Sequence, residues 1–117
     1  MITAEFKAGK GDGSISLRMS GHAGAAEAGK DIICAAASIL AYTVAQAMQF
    51  MHEQGGLQEK PRIQLSGGDA IIAAKPNPES YAEALHTFFV AQIGFHLLSH
   101  NYPQYVELKS FGESVSS

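Results

Sequence analysis

The sequence predicts a small α/β domain of the α+β type, with element order ββαββαβ and two helices packed on a largely antiparallel sheet. Three observations carry this. Short segments at both ends and in the middle alternate apolar and polar residues with a period of two. Two long segments repeat apolar residues at helical spacing. Glycine, proline and asparagine punctuate the joins.

In order, Ile2, Ala4 and Phe6 alternate with Thr3, Glu5 and Lys7, which reads as a half-buried strand. The segment AGKGDG at 8–13 is a turn, because its glycines and aspartate tolerate positive φ. Ile15, Leu17 and Met19 then alternate with Ser16, Arg18 and Ser20, giving a hairpin partner. A loop over 21–30 follows. Asp31 is a good N-cap for a long helix to about His52, halted by Gly55-Gly56. Ile33, Ala37, Leu40, Val44, Met48 and Met51 line one side of it, and Ile32, Ala36, Ile39, Tyr42 and Phe50 leave little of the rest polar. A helix apolar on most sides is covered on most sides, and in so small a domain part of that cover is expected to be a second copy, making a homodimer. Arg62–Leu65 and Asp69–Lys75 flank Ser66-Gly67-Gly68 as a second hairpin. Asn77 as cap, with Pro78 at the first helical position, opens a second helix to about His100, ended by Asn101 and Pro103. Tyr105–Lys109 is a last strand. The 117 residues thus form one domain over 1–109 and a polar, loose tail over 110–117.

Composition excludes several function classes. At 46% hydrophobic and 16% charged the chain is an ordinary globular protein. Its formal net charge is −3 and its lysines and arginines are scattered, so no direct nucleic-acid binding is expected. No run of about 20 uninterrupted apolar residues is present, so no membrane partner is expected. The start, MITAEFKAGK, is unlike a secretory signal, and a lone cysteine fits a reducing cytoplasm.

The chemistry concentrates in GHAGAAEAGKDIICAAAS, residues 21–38, which holds the only cysteine. Gly24-Ala-Ala-Glu-Ala-Gly29-Lys30 imitates a phosphate-binding loop, but Asp31 stands where a magnesium-binding hydroxyl belongs and Glu27 sits inside. Two carboxylates would repel a polyphosphate, and such loops follow the first strand of a parallel sheet. A nucleotide site is therefore disfavoured. Thiol chemistry fits better. With Asp31 as cap, Cys34 falls in the first helical turn, where free N–H groups and the helix dipole favour a thiolate and can hold an oxyanion. His22 leaves the second strand nearby and can serve as general base. The residue types alone leave another reading open and favour it: a buried, inert thiol among alanines and isoleucines.

The pattern Gly21-His22-Ala23, a glycine-bearing segment, then Gly29-x-Asp31-Ile32-Ile33-Cys34-Ala35-Ala36-x-Ser38 resembles the signature of the ribosomal-processing cysteine proteases, the Prp family. The Met1-Ile2-Thr3 start, the length and the element order are similar as well. Ile33 replaces the family's common valine, and Ala23, Ala25, Ala26 and Ala28 make this loop unusually alanine-rich. The resemblance implies a small dimeric cysteine endopeptidase without cofactor or metal. Its partner would be the N-terminal extension of the large-subunit ribosomal protein numbered twenty-seven, cut after an aromatic residue. It implies Cys34 as nucleophile and His22 as base, with Asp31, Ser38, Gly21 and Gly29 around the site. Asp31 is also readable as a cap alone, and Ser38 as a hydroxyl bonded back to the Cys34 carbonyl. Gly21, Gly24 and Gly29 suggest a mobile loop that substrate orders, bringing His22 to the sulfur. A non-catalytic, ribosome-associated binding module with the same fold is the alternative. His96 and His100, four apart, have chelating spacing but no evident third ligand, and His86 lies on another side of the helix.

Overall fold

A computed structural model describes residues 1–21, 28–66 and 69–112, with side chains of the first helix from residue 32 onward. The elements are β1 (Ile2–Ala8), β2 (Ile15–Ser20), α1 (Ala28–Glu53), β3 (Arg62–Ser66), β4 (Asp69–Ala74), α2 (Tyr81–Asn101) and β5 (Val106–Lys109), with a single 3₁₀ turn, Pro78–Ser80, leading into α2. The predicted ββαββαβ order is the one found. The strands form one sheet in the order β3-β4-β2-β1-β5. Only β1 and β5 run parallel, so the sheet is largely antiparallel.

The period-two pattern sorts the sheet into two faces. Ile2, Ala4 and Phe6 of β1, Ile15, Leu17 and Met19 of β2, and Ala70, Ile72 and Ala74 of β4 are buried. They sit side by side in register, with Phe6 opposite Leu17 and Leu17 opposite Ile72. Both helices cover this face. The other face carries Glu5, Lys7, Ser16 and Arg18. Its Lys7–Glu5 ion pair, 3.8 Å long and solvent-exposed, adds little. In the first hairpin the Ser14 backbone N–H and the Ser14 hydroxyl both donate to Asp12, and together they hold its carboxyl below the ordinary value.

Helix α1 lays Ile33, Ala37, Ala41, Val44 and Met48 on the sheet, each nearly or fully inaccessible. Helix α2 adds Ala84, Phe88, Ala91 and Phe95, and the Phe95 ring meets Phe6 edge-on at 5.9 Å. The helices meet at Gly94, where a β-carbon would stand 2.6 Å from Leu40 Cδ2. Glycine is unfavourable inside a helix, and here the space it leaves is filled by Leu40.

Four differences from the sequence expectation have physical causes. Helix α1 starts at Ala28, not after Asp31, with Ala28 and Lys30 as good helix formers on either side of the unfavourable Gly29. Residues 32–53 are also long and apolar enough to cross a membrane by length and composition, contrary to the expectation of no such run. One side of that stretch is the core face on the sheet. Asn77 does not cap α2: its side-chain amide donates to the Gly55 carbonyl at 2.7 Å, tying the entry of α2 to the exit of α1. The core also continues into the segment read as a tail. Phe111 packs on Phe6 at 5.5 Å and its N–H is accepted by the Gln92 side chain at 2.9 Å, while residues 113–117 lie outside the described residues.

Phe6 is fully buried between Phe95 and Phe111. Phe6→Ala is expected to cost about 3–5 kcal/mol, read as a lower urea midpoint with an unchanged denaturant slope.

Candidate active site

The site forms where β1 starts, β2 ends and β4 starts, at the edge of the sheet nearest the beginning of α1. Ile2, Met19, Gly21, Cys34, Ala37, Ser38, Tyr42, Ser66, Asp69 and Ala70 line a cavity of ≈ 90 Å³. Helix α1 contributes Cys34, Ser38 and Tyr42, spaced by four so that they share one side. The sheet contributes the floor and the far wall. Thr3, Ser20, Asp69 and Ser66 follow one another across β1, β2, β4 and β3, so the strand ends that carry the wall are level.

Cys34 is unpaired with any other cysteine and half-buried, next to the fully packed Ile33. Cys34 packs against the core and also lines the cavity wall, which leaves it open to a bound chain. Ser38 follows one turn later and also lines the cavity. Among the described residues its hydroxyl makes no bond to the Cys34 carbonyl, whereas Thr43 and Thr87 make that backward bond to Ile39 and Glu83. The reading of Ser38 as a residue that only bonds its own helix is thereby set aside.

Gly21 is the hinge of the site. Its φ is +90°, and a β-carbon on it would run into the Met1 carbonyl oxygen. Both conditions admit glycine alone. The positive φ makes a sharp exit from β2 at Gly21, and His22 is the next residue. His22 itself lies outside the described residues, as do the remaining positions of the loop to residue 27.

Asp31 and Gly29 are placed differently from the expectation. With α1 beginning at Ala28, Gly29 is helical and not part of the loop, and Asp31 is a first-turn residue and not the N-cap. Cys34 then falls in the second turn. The backbone N–H groups without helical partners belong to residues 28–31, about one turn before the sulfur. The macrodipole argument for Cys34 weakens accordingly, since that effect falls off within the first turn. The side chain of Asp31 is not among those described.

Tyr42, Ser66 and Asp69 were not singled out from the sequence. Tyr42 was legible, being four residues beyond Ser38 and eight beyond Cys34. Asp69 and Ser66 reach the site only through strand pairing, Asp69 opposite both Ser20 and Ser66. Away from the site, the His96 and His100 rings stack at 6.2 Å near the end of α2. Among the described residues no group of three His, Cys, Asp or Glu side chains gathers.

The model of the cysteine protease Prp family matches residues 1–107. The chain belongs to the Prp cysteine protease family. Its fold agrees with solved structures of the same size. The ribosomal processing protease Prp of Staphylococcus aureus, in complex with a covalently linked product peptide, aligns with a TM-score of 0.69 and 25% identity over 94% of this chain and 99% of that one. The same enzyme with a substrate peptide aligns with a TM-score of 0.66 and 22% identity, over 94% and 99% of the two chains. A protein from Streptococcus mutans aligns with a TM-score of 0.68 and 25% identity over 95% and 94%. No curated protein matches this sequence.

Gly21→Ala is expected to lower stability by about 1–3 kcal/mol, from the positive φ and the collision with Met1. It should also change the accessibility of Cys34, which lines the same cavity. A thermal melt and the rate of Cys34 alkylation by iodoacetamide, compared with Gly13→Ala as a control at positive φ outside the site, separate the two effects.

Proposed function

We propose that this chain is a cysteine endopeptidase that removes a short N-terminal extension from the large-subunit ribosomal protein numbered twenty-seven during ribosome maturation. The observation that carries the proposal is the position of Cys34. In a chain of the Prp family, the one thiol lines a cleft at the sheet end together with Ser38 and Gly21. The S. aureus relative has been solved with a peptide covalently linked, which fits a site that forms a bond to its substrate.

In the proposed reaction His22 takes the proton of the Cys34 thiol, and the sulfur adds to the scissile carbonyl carbon. The resulting oxyanion needs donors beside it, and this role is assigned to the unpartnered N–H groups at the start of α1, about one turn before Cys34. The carbon–nitrogen bond then breaks as the imidazolium returns its proton to the leaving amine, so the new N-terminus of the ribosomal protein departs neutral. The acyl group remains on sulfur as a thioester. His22 next deprotonates a water, which adds to the thioester carbonyl and displaces the thiolate. No metal or cofactor enters any step. Asp31, in the first turn of α1, is assigned to orienting His22 or receiving the substrate backbone, and Ser38 to lining the cleft.

The same reading includes a homodimer working in the cytoplasm. Ile39 and Phe50 of α1, with Val90, Ile93 and Leu97 of α2, are all 45% or more exposed on the helical layer. A second copy would cover them.

Cys34→Ala is expected to lower kcat/KM by about a thousandfold or more on a peptide spanning the extension, while binding of that peptide stays within a few-fold. His22→Ala should do the same. Mass analysis of the products and anisotropy of a labelled peptide give the two readings. Undiminished cleavage by Cys34→Ala would overturn the proposal and leave a non-catalytic binding module.

A further inference from the structure

Asp69 lines the cavity beside Cys34 and takes no part in the peptidase chemistry. Among the described residues lining it, Asp69 alone carries a formal charge; the other polar groups there are Cys34, Ser38, Tyr42 and Ser66, and the rest are apolar or glycine. Asp69 opens β4 and is exposed, with Ser20 opposite it on β2 and Ser66 on β3. Neither neighbour is a cation, and Arg18, two positions along β2 on the same face of the sheet, forms no ion pair with it among the described residues. Its carboxylate makes no hydrogen bond or ion pair with any described residue, and the Lys7–Glu5 pair lies well along β1 from this end. The backbone that presents Asp69 is held by strands on both sides, so the charge has a fixed place relative to the cleft.

A carboxylate that no described cation pairs attracts a cation, and the attraction grows as a bound chain displaces water. A neutral donor would supply a hydrogen bond and leave the charge unmatched, whereas lysine or arginine supplies both. The cavity is small, ≈ 90 Å³, and holds Cys34 and Asp69 together. A peptide bound in that cavity at Cys34 therefore passes Asp69 close to the scissile bond.

We propose that Asp69 is a specificity-determining residue that selects a lysine or arginine in the peptide close to the scissile bond. This rests on the peptidase reading and adds to it a substrate feature set by this chain's own β4.

The test uses the full chain and internally quenched decapeptides with phenylalanine before the cut, differing only in lysine, norleucine or glutamate at each position flanking the bond. At one flanking position the unaltered protein should prefer lysine over norleucine by about three- to tenfold in kcat/KM, with glutamate poorest. The preference should shrink at about 0.5 M salt. Asp69→Asn, which keeps the shape, should erase it, and Asp69→Lys should turn it toward glutamate. An Asn variant with the preference intact, or an unaltered protein that cuts all peptides alike, overturns the role of Asp69 and leaves the peptidase standing. Anisotropy of the same peptides on Cys34→Ala, with and without Asp69→Asn, reads the selection without turnover. Charge-dependent binding that the double variant lacks upholds Asp69 even where nothing is cleaved, and charge-blind binding overturns it.

Discussion

Helix α1 must lie close enough to the sheet for Ala37 and Ala41 to touch strand side chains, with Ile33, Val44 and Met48 filling the spaces around them. That contact fixes the helix in rotation, and rotation decides the chemistry of the sheet end. Adjacent helical residues point about 100° apart. Cys34 and Ser38, each one position past a buried residue, are therefore turned out of the core and into the cleft. A thiol one position earlier, at Ile33, would be sealed in hydrocarbon, and one two positions earlier, at Ile32, would point at bulk water. The small side chains on the buried stripe matter for the same reason, because larger ones would lift the helix and open the cleft.

The second constraint is the level ending of the strands. Thr3, Ser20, Asp69 and Ser66 are neighbours across four strands although they come from opposite halves of the chain. Two hairpins joined by the β2–β4 pairing make this possible, and the parallel β1–β5 contact closes the far side. Gly21 finishes the arrangement, since only a residue without a β-carbon can turn out of β2 beneath the Met1 carbonyl. Core packing and site geometry are thus the same set of contacts seen from two ends of the sheet.

The first hairpin was legible because one face of the sheet is dry and the other wet, which writes the period of two into Ile2–Phe6 and Ile15–Met19, whereas residues 70–74 are apolar on both faces and were legible only from the hairpin signal before them. The helices were legible from apolar spacing. Their starts were not, because alanine, glycine and lysine before Asp31 are as compatible with a helix as with a loop, and because Asn77 found a better acceptor at Gly55 than at its own helix. Phe111 was hidden for a different reason: nothing local distinguishes a phenylalanine in a polar tail from one that caps a core through Phe6.

The sequence by itself determined the element order, the buried face of each element and the family signature around Cys34, since all three are carried by residues near one another in the chain. Only the tertiary structure decided that Tyr42, Ser66 and Asp69 share the cleft with the sulfur, and that Asp69 meets it without a counter-charge among the described residues. The pairing of β2 with β4 joins residues about fifty positions apart. Such pairing is fixed by the burial of a whole sheet face and by no local pattern, so a charge that arrives through it cannot be read from the sequence around the cysteine.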